Sequence, residues 1–153
     1  YNVFERAIEA DVFDYARSRG LALLAYGALC RGLLSGRMQA DTQFPDSDLR
    51  SKDPKFQRPH YGEYLAAVSA LDRLAKAHGR RVIHLALRWV LDRAPNTIAL
   101  WGARRPAQLD PVRDVLGWTI DADSMREIDR IVAENVRTPL GPEFMAPPED
   151  AAA

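Results

Sequence analysis

A single cysteine, Cys30, in a chain of 153 residues excludes an internal disulfide framework and fits a reducing, cytoplasmic setting. Neither charge sign predominates, since 21 Lys and Arg stand against 21 Asp and Glu. Binding driven by counterion release needs a clustered cationic surplus, so nucleic acid is not an expected partner. No apolar run approaches the ~18–20 residues that cross a bilayer, and no signal-peptide pattern opens the chain, so no membrane is expected either. His60, His78 and His84 lack metal-ligand spacing such as H-E-x-x-H and read as structural or exposed. What is present is an ordinary globular composition, 47% hydrophobic, too apolar for a disordered chain. The chain opens without methionine on the apolar stretch Tyr1-Asn2-Val3-Phe4, which reads as a strand already under way and leads us to expect a fragment.

Apolar spacing then outlines the elements. Ile8, Val12, Tyr15 and Ala16 fall on one helical face, and Gly20 follows where a left-handed residue would end that helix. Leu21-Ala22-Leu23-Leu24-Ala25-Tyr26 does not alternate and suits a strand buried on both faces, as in a parallel sheet covered by helices. Residues 38–59 lose periodicity and form a long polar loop, a length often associated with a functional lid. Leu65, Val68, Leu71, Leu74 and Ala75 mark a second helix closed by Gly79, and Val82, Leu85, Ala86, Trp89 and Val90 mark a third. Pro95-Asn96 ends it, and residues 97–101 read as another buried strand. Pro106 opens a helix expected to run to about Leu116; Asp121 caps a last helix burying Met125, Ile128, Ile131 and Val132. The expected organisation is a domain over 1–137 and a flexible Pro- and Ala-rich tail over 138–153. The order of elements is that of an α/β fold with parallel strands. Three strands are too few to close a barrel, so partner strands are expected elsewhere.

Two stretches follow buried strands, where ligands of parallel sheets gather. The first is Tyr26-Gly27-Ala28-Leu29-Cys30-Arg31-Gly32-Leu33-Leu34-Ser35-Gly36-Arg37. Glycine turns let backbone N–H groups approach an anion, Arg31 and Arg37 add charge, and Tyr26 offers a flat face to a ring. Taken alone it reads as no more than a tight turn, and without Gly-Lys-Ser/Thr it is not a triphosphate-binding loop. The second is Gly102-Ala103-Arg104-Arg105-Pro106-Ala107-Gln108, where adjacent arginines at a helix start suit a phosphate monoester, the alternative being a solvated arginine pair. Together, two such turns on successive strands point to a dinucleotide held at its pyrophosphate and at its far phosphate. Cys30 beside Arg31 has the charge environment of a thiolate, but no base accompanies it.

Tyr1-Asn2-x-Phe4-Glu5-Arg6, the Ala25-to-Gly36 loop, Leu87-Arg88-Trp89-Val90-Leu91 and residues 98–109 together resemble the aldo-keto reductases, in the right order and to about Ile131. The resemblance implies the C-terminal portion of a (β/α)₈ TIM barrel, strands six to eight with surrounding helices, and an NADPH-dependent oxidoreductase that reduces aldehydes or ketones. It implies cofactor binding by Tyr26 on the nicotinamide, by Gly27, Ala28, Leu29, Cys30, Arg31 and Arg37 at the pyrophosphate, and by Gly102, Ala103, Arg104 and Gln108 around the 2′-phosphate. Arg105 is a chemically reasonable addition there, and Arg50 in the long loop is a further candidate. Pro111-Val112 stand where the family often has Glu-Asn near the adenine, so the choice of NADP(H) over NADH rests on Arg104 and Arg105. The family's catalytic Asp, Tyr, Lys and His precede the segment matching Tyr1, and Lys52, Lys55 and Lys76 are not at strand ends. No catalytic residue is therefore expected here, and the chain alone is expected to be inactive. Its expected partners are a small-molecule carbonyl substrate and the missing N-terminal barrel half or a second copy. The alternative is a non-catalytic half-barrel module binding a nucleotide or a partner chain.

Overall fold

The computed structural model describes residues 1–94 and 96–145. Two short strands, β1 (Leu23–Ala25) and β2 (Thr97–Ala99), pair in parallel with Leu23, Leu24 and Ala25 opposite Thr97, Ile98 and Ala99. Parallel neighbours need a long crossover. Here it holds a chain of 3₁₀ turns and the helices α2 (His60–Ala77) and α3 (Val82–Arg93). A shorter helix, α1 (Val12–Ser18), precedes β1, and α4 (Ala122–Asn135) ends the regular structure.

The helices start and stop for local reasons. Gly20 and Gly79 take φ of +63° and +66°, and in both turns the next N–H reaches back to a helix carbonyl, Leu21 to Ala16 and Arg80 to Ala75, each at 2.9 Å. This is the left-handed closure that glycine permits at least cost. Asp121 Oδ1 accepts the Ser124 N–H at 2.7 Å and so caps α4 as expected. α2 packs against both α3 and α4, and the core between them holds Tyr64, Leu71, Leu85, Trp89 and Ile128, all nearly inaccessible. Around Trp89, Arg6 and Arg93 stack at 5.1 and 5.9 Å from the ring, and Glu9 accepts from both guanidinium groups and from the Tyr1 hydroxyl. Arg6 also reaches Asp129 at 2.6 Å, tying the start of the chain to α4.

Several expectations are corrected. The opening residues form an isolated antiparallel bridge between Asn2 and Glu5, not a strand. The first helix is a 3₁₀ turn, Ala7–Ala10, followed by α1, and it buries Phe13 and Ala16 while Ile8, Val12 and Tyr15 face solvent. Of the face counted from Ile8 only Ala16 is buried, because the chain bends at Asp11 between turn and helix. The strands are not covered on both sides. Leu24 and Ile98, paired across the sheet, are 63% and 50% exposed, and Tyr26 and Leu100, two positions further along, are exposed as well. Ala25 and Thr97, pointing the other way, are buried on the side where α3 packs against β2. Residues 106–115 form two 3₁₀ turns, Pro106–Gln108 and Asp110–Val115, rather than an α-helix; Pro111, with no N–H to donate, sits inside the second. The expected tail is packed as far as it is described: the Tyr64 hydroxyl accepts the Leu140 N–H at 2.9 Å, and Lys55 donates to the Gly141 carbonyl at 2.6 Å. Pro95 and the rest of that tail, 146–153, lie outside the described residues. Among the described residues no helix is long and apolar enough to cross a membrane, and no cluster of metal-ligating side chains is formed.

Candidate functional site

Because β1 and β2 are parallel, with Ala25 opposite Ala99, the turns after them leave the same edge of the sheet side by side. Tyr26 stands at the tip of β1 with its ring 73% exposed. The chain then turns sharply. Gly27 takes φ +74°, and Cys30, Arg31 and Gly32 follow one another at +46°, +53° and +91° inside the 3₁₀ segment Cys30–Ser35. Left-handed non-glycine residues cost roughly 1–2 kcal/mol each, so two in succession require outside support. Ala28 and Cys30 supply part of it by being completely buried. The N–H of Cys30 is taken by the Gly27 carbonyl at 2.7 Å, whereas those of Ala28, Leu29 and Arg31 find no acceptor among the described residues. A right-handed residue followed by left-handed ones gathers successive N–H groups into a concavity suited to an anion. Glycine at position 32 also keeps the turn open: a Cβ there would stand 3.3 Å from Met38 Cε and 4.0 Å from an Arg50 guanidinium nitrogen.

Cys30 does not behave as a thiolate. Burial, reinforced by the Glu5 carboxylate, pushes its thiol up to about 12, and this outweighs Arg31 beside it. Arg31 is itself engaged. Its guanidinium donates to Glu5 at 2.7 Å and makes a 2.5 Å ion pair with Asp53, and its side chain is largely covered. Lys55, fully buried, lies 2.9 Å from the same Glu5 oxygen. Asn2 donates to the other Glu5 oxygen at 2.7 Å and to the Gly27 carbonyl at 3.0 Å. The Phe144 ring covers both cations, 5.2 Å from Arg31 and 5.9 Å from Lys55. Burial alone would raise Glu5, but the hydrogen bonds from Lys55 and Arg31 outweigh it and hold the carboxyl below the usual range.

In the second turn Gly102, Ala103, Arg104 and Arg105 are all exposed. Gln108 lies one 3₁₀ turn later, and its Oε1 accepts the N–H groups of Arg104 and Arg105 at 2.7 and 3.0 Å. It thus shapes the backbone and leaves both guanidinium groups to solvent. Between the two turns runs the long loop. Arg50 forms a two-point pair with Asp48 at 2.8 and 2.6 Å and lies over Phe44, 4.4 Å from the ring centre. Its hydrogen bonds, with a smaller contribution from Arg104, hold the Asp48 carboxyl well below the usual range. The Asp48–Arg50 segment therefore lies beside the first turn at Gly32, and Asp48 feels the charge of Arg104 from the second. Arg37 is exposed just beyond Gly36. A cavity of about 490 Å³ opens beside β1, lined by Leu24, Tyr26, Gly27, Arg31, Pro139 and Met145 among others.

Glu5 and Asp53 were not expected at the site, and Lys55 was considered only as a catalytic lysine and set aside. Glu5 lay within a recognised stretch, but an Asp-Pro-Lys in a polar loop carries no sign that its charges are buried against Arg31 and Glu5.

The family model for the aldo/keto reductases matches residues 1–133. The chain is 50% identical over 149 residues to the aldo-keto reductase YhdN of Bacillus subtilis (strain 168), covering 97% of this chain and 45% of that protein. It superposes on the solved structure of a glycerol dehydrogenase from Gluconobacter oxydans with a TM-score of 0.87 and 51% identity, over 95% of this chain and 44% of the other. A more distant aldo-keto reductase from Klebsiella pneumoniae, solved in complex with NADPH, shares the fold at a TM-score of 0.58 and 21% identity, over 86% of this chain and 37% of its own. The chain spans less than half the length of these proteins. Matched along nearly its whole length, with its α/β topology shared, this chain belongs to the aldo/keto reductase family.

Proposed function

We propose that this chain is the cofactor-holding portion of an NADPH-dependent aldo-keto reductase that reduces aldehydes or ketones to alcohols, and that it forms the C-terminal part of a (β/α)₈ barrel. The observation that carries the reading is the parallel register of β1 and β2, which sends two cation-bearing turns off the same edge. The donor set fits a dinucleotide phosphate. Uncommitted N–H groups of Ala28, Leu29 and Arg31 suit a pyrophosphate, Arg37 adds charge beyond Gly36, and Arg50 approaches Gly32 from the loop. The open Tyr26 face suits the nicotinamide ring. The free guanidinium groups of Arg104 and Arg105 suit a phosphate monoester by forked, charge-assisted bonds. Gly102, Ala103 and Gln108 contribute as backbone and its support. The bare apolar face bearing Leu24 and Ile98 suits continuation of the barrel by further strands, which would also cover the cavity.

NADPH, when bound, supplies the hydride. This chain's residues bind and orient it and shield its ring from water, and the acid that protonates the carbonyl oxygen is assigned to residues outside the chain. The test is a comparison of two nucleotides in the protein that carries this chain. With Arg104 and Arg105 both replaced by Ala, NADPH is expected to weaken about tenfold or more beyond any loss for NADH, the scale of one to two charge-assisted hydrogen bonds. Equal losses measured by fluorescence titration would remove the 2′-phosphate role.

A further inference from the structure

Lys55 and Asp53 have fully buried side chains inside what reads as a polar loop, and the cofactor grip described above makes no direct use of them. Their partners explain the burial. Glu5 comes from the opening bridge, Arg31 from the left-handed turn, Asp53 and Lys55 from the base of the long loop, and Gly141 from the chain after α4. Four segments distant in sequence therefore meet at one ionic knot, with Phe144 across it. Arg31 is the member that sits on the turn, and both of its ion pairs are with carboxylates.

We propose that Glu5 and Asp53 are positioning residues which, by gripping Arg31 from two sides, hold residues 28–32 in the shape that receives the cofactor pyrophosphate, so that Arg31 serves as an anchor and not as the phosphate's side-chain ligand. This rests on the cofactor reading above and adds to it the means by which the turn is held. Two successive left-handed residues relax unless something opposes them, and the fork of Arg31 is the contact that opposes it. A carboxylate on each side needs a planar, branched cation: a lysine at position 31 would keep the charge but could not bridge Glu5 and Asp53 in the same way. Lys55 neutralises the second carboxylate of the knot and carries its hold on to the Gly141 carbonyl.

The experiment compares wild type with Asp53→Asn, Glu5→Gln and Arg31→Lys in the protein that carries this chain, reading amide hydrogen exchange by segment and the dissociation constants of NADPH and NADH. Expected are faster exchange confined to residues 27–34, with α2 and α3 unchanged, and affinity losses on the order of tenfold, the scale on which supporting contacts around a bound group act. The losses should be equal for the two nucleotides, because the pyrophosphate is common to both, and Arg31→Lys should show them as fully as the other two. Unchanged exchange in the turn overturns the proposal, as does a loosened turn with unchanged affinity, or wild-type binding retained in Arg31→Lys, which would make Arg31 a simple charge on the phosphate. Failure of the wild-type protein to bind either nucleotide would instead sink the cofactor reading, and this proposal with it. Should one variant unfold, seen as faster exchange everywhere, the remaining variants decide the matter, since Asp53→Asn and Glu5→Gln each loosen a different contact to the Arg31 guanidinium and Arg31→Lys replaces the guanidinium itself.

Discussion

Tyr26 is the side chain whose role follows most directly from its place. It ends β1, it is open to solvent, and the turn behind it is set on the buried Ala28 and Cys30. If it carries the nicotinamide, Tyr26→Ala should raise the NADPH dissociation constant about tenfold, within the usual worth of stacking a base on an aromatic ring. Folding stability should barely move, since so exposed a ring packs little of the core. Fluorescence titration beside a denaturation curve separates the two effects, and unchanged affinity would remove the role. Gly36 is a residue of the opposite kind. Its φ is +72°, and a Cβ there would stand 2.7 Å from Val82 Cγ1 at the start of α3. Gly36→Ala therefore incurs both backbone strain and a clash with a packed helix, and a loss of about 1–3 kcal/mol in chemical denaturation is expected.

At the scale of elements, Glu9 fastens the first 3₁₀ turn to α3. Burial alone would raise its pKa, but hydrogen bonds from Arg6, Arg93 and Tyr1 bring the carboxyl down to about 2 from an ordinary 4.5. A carboxylate depressed in the folded state adds stability that is complete above the unfolded value and disappears as pH falls through the folded one. The contribution of Glu9 should thus fade between about pH 4.5 and pH 2. Glu9→Gln should flatten that part of a stability-against-pH curve, and a variant curve parallel to wild type would disprove it. The elements that were legible in advance share one property. α2, α3 and α4 bury a continuous stripe along their own length, so local spacing carries the information, and Asp121 and Gly79 mark their ends by chemistry that is local too. β1 and β2 were located correctly but were read as two-sided, because an apolar run without alternation does not say which of its faces a neighbour covers. The ionic knot was invisible for a stronger reason: burial of Lys55 depends on Glu5 and Gly141, at opposite ends of the described chain. The two turns of the candidate site were found because glycine and arginine requirements are written within a dozen residues. What spacing alone did not reveal is that Arg31 is already spoken for.

For the whole molecule, the pairing of Leu24 with Ile98 joins residues more than seventy positions apart, with α2 and α3 in between. Only a four-residue turn separates those two helices, and they share much of the core. Closing a long chain loop costs entropy before any contact repays it, whereas neighbouring helices meet early. The helical pair is therefore expected to form the folding nucleus, with the sheet assembling on it afterwards. In stopped-flow experiments Leu71→Ala and Leu85→Ala should slow refolding, while Ala25→Gly should act on the unfolding limb alone. The reverse pattern would show that the strands pair first. A late-forming sheet has a further consequence. The apolar face bearing Leu24 and Ile98 comes into being only on an already ordered platform, which shortens the time during which a nascent polypeptide displays sticky, unpaired strands to other chains in a crowded cell.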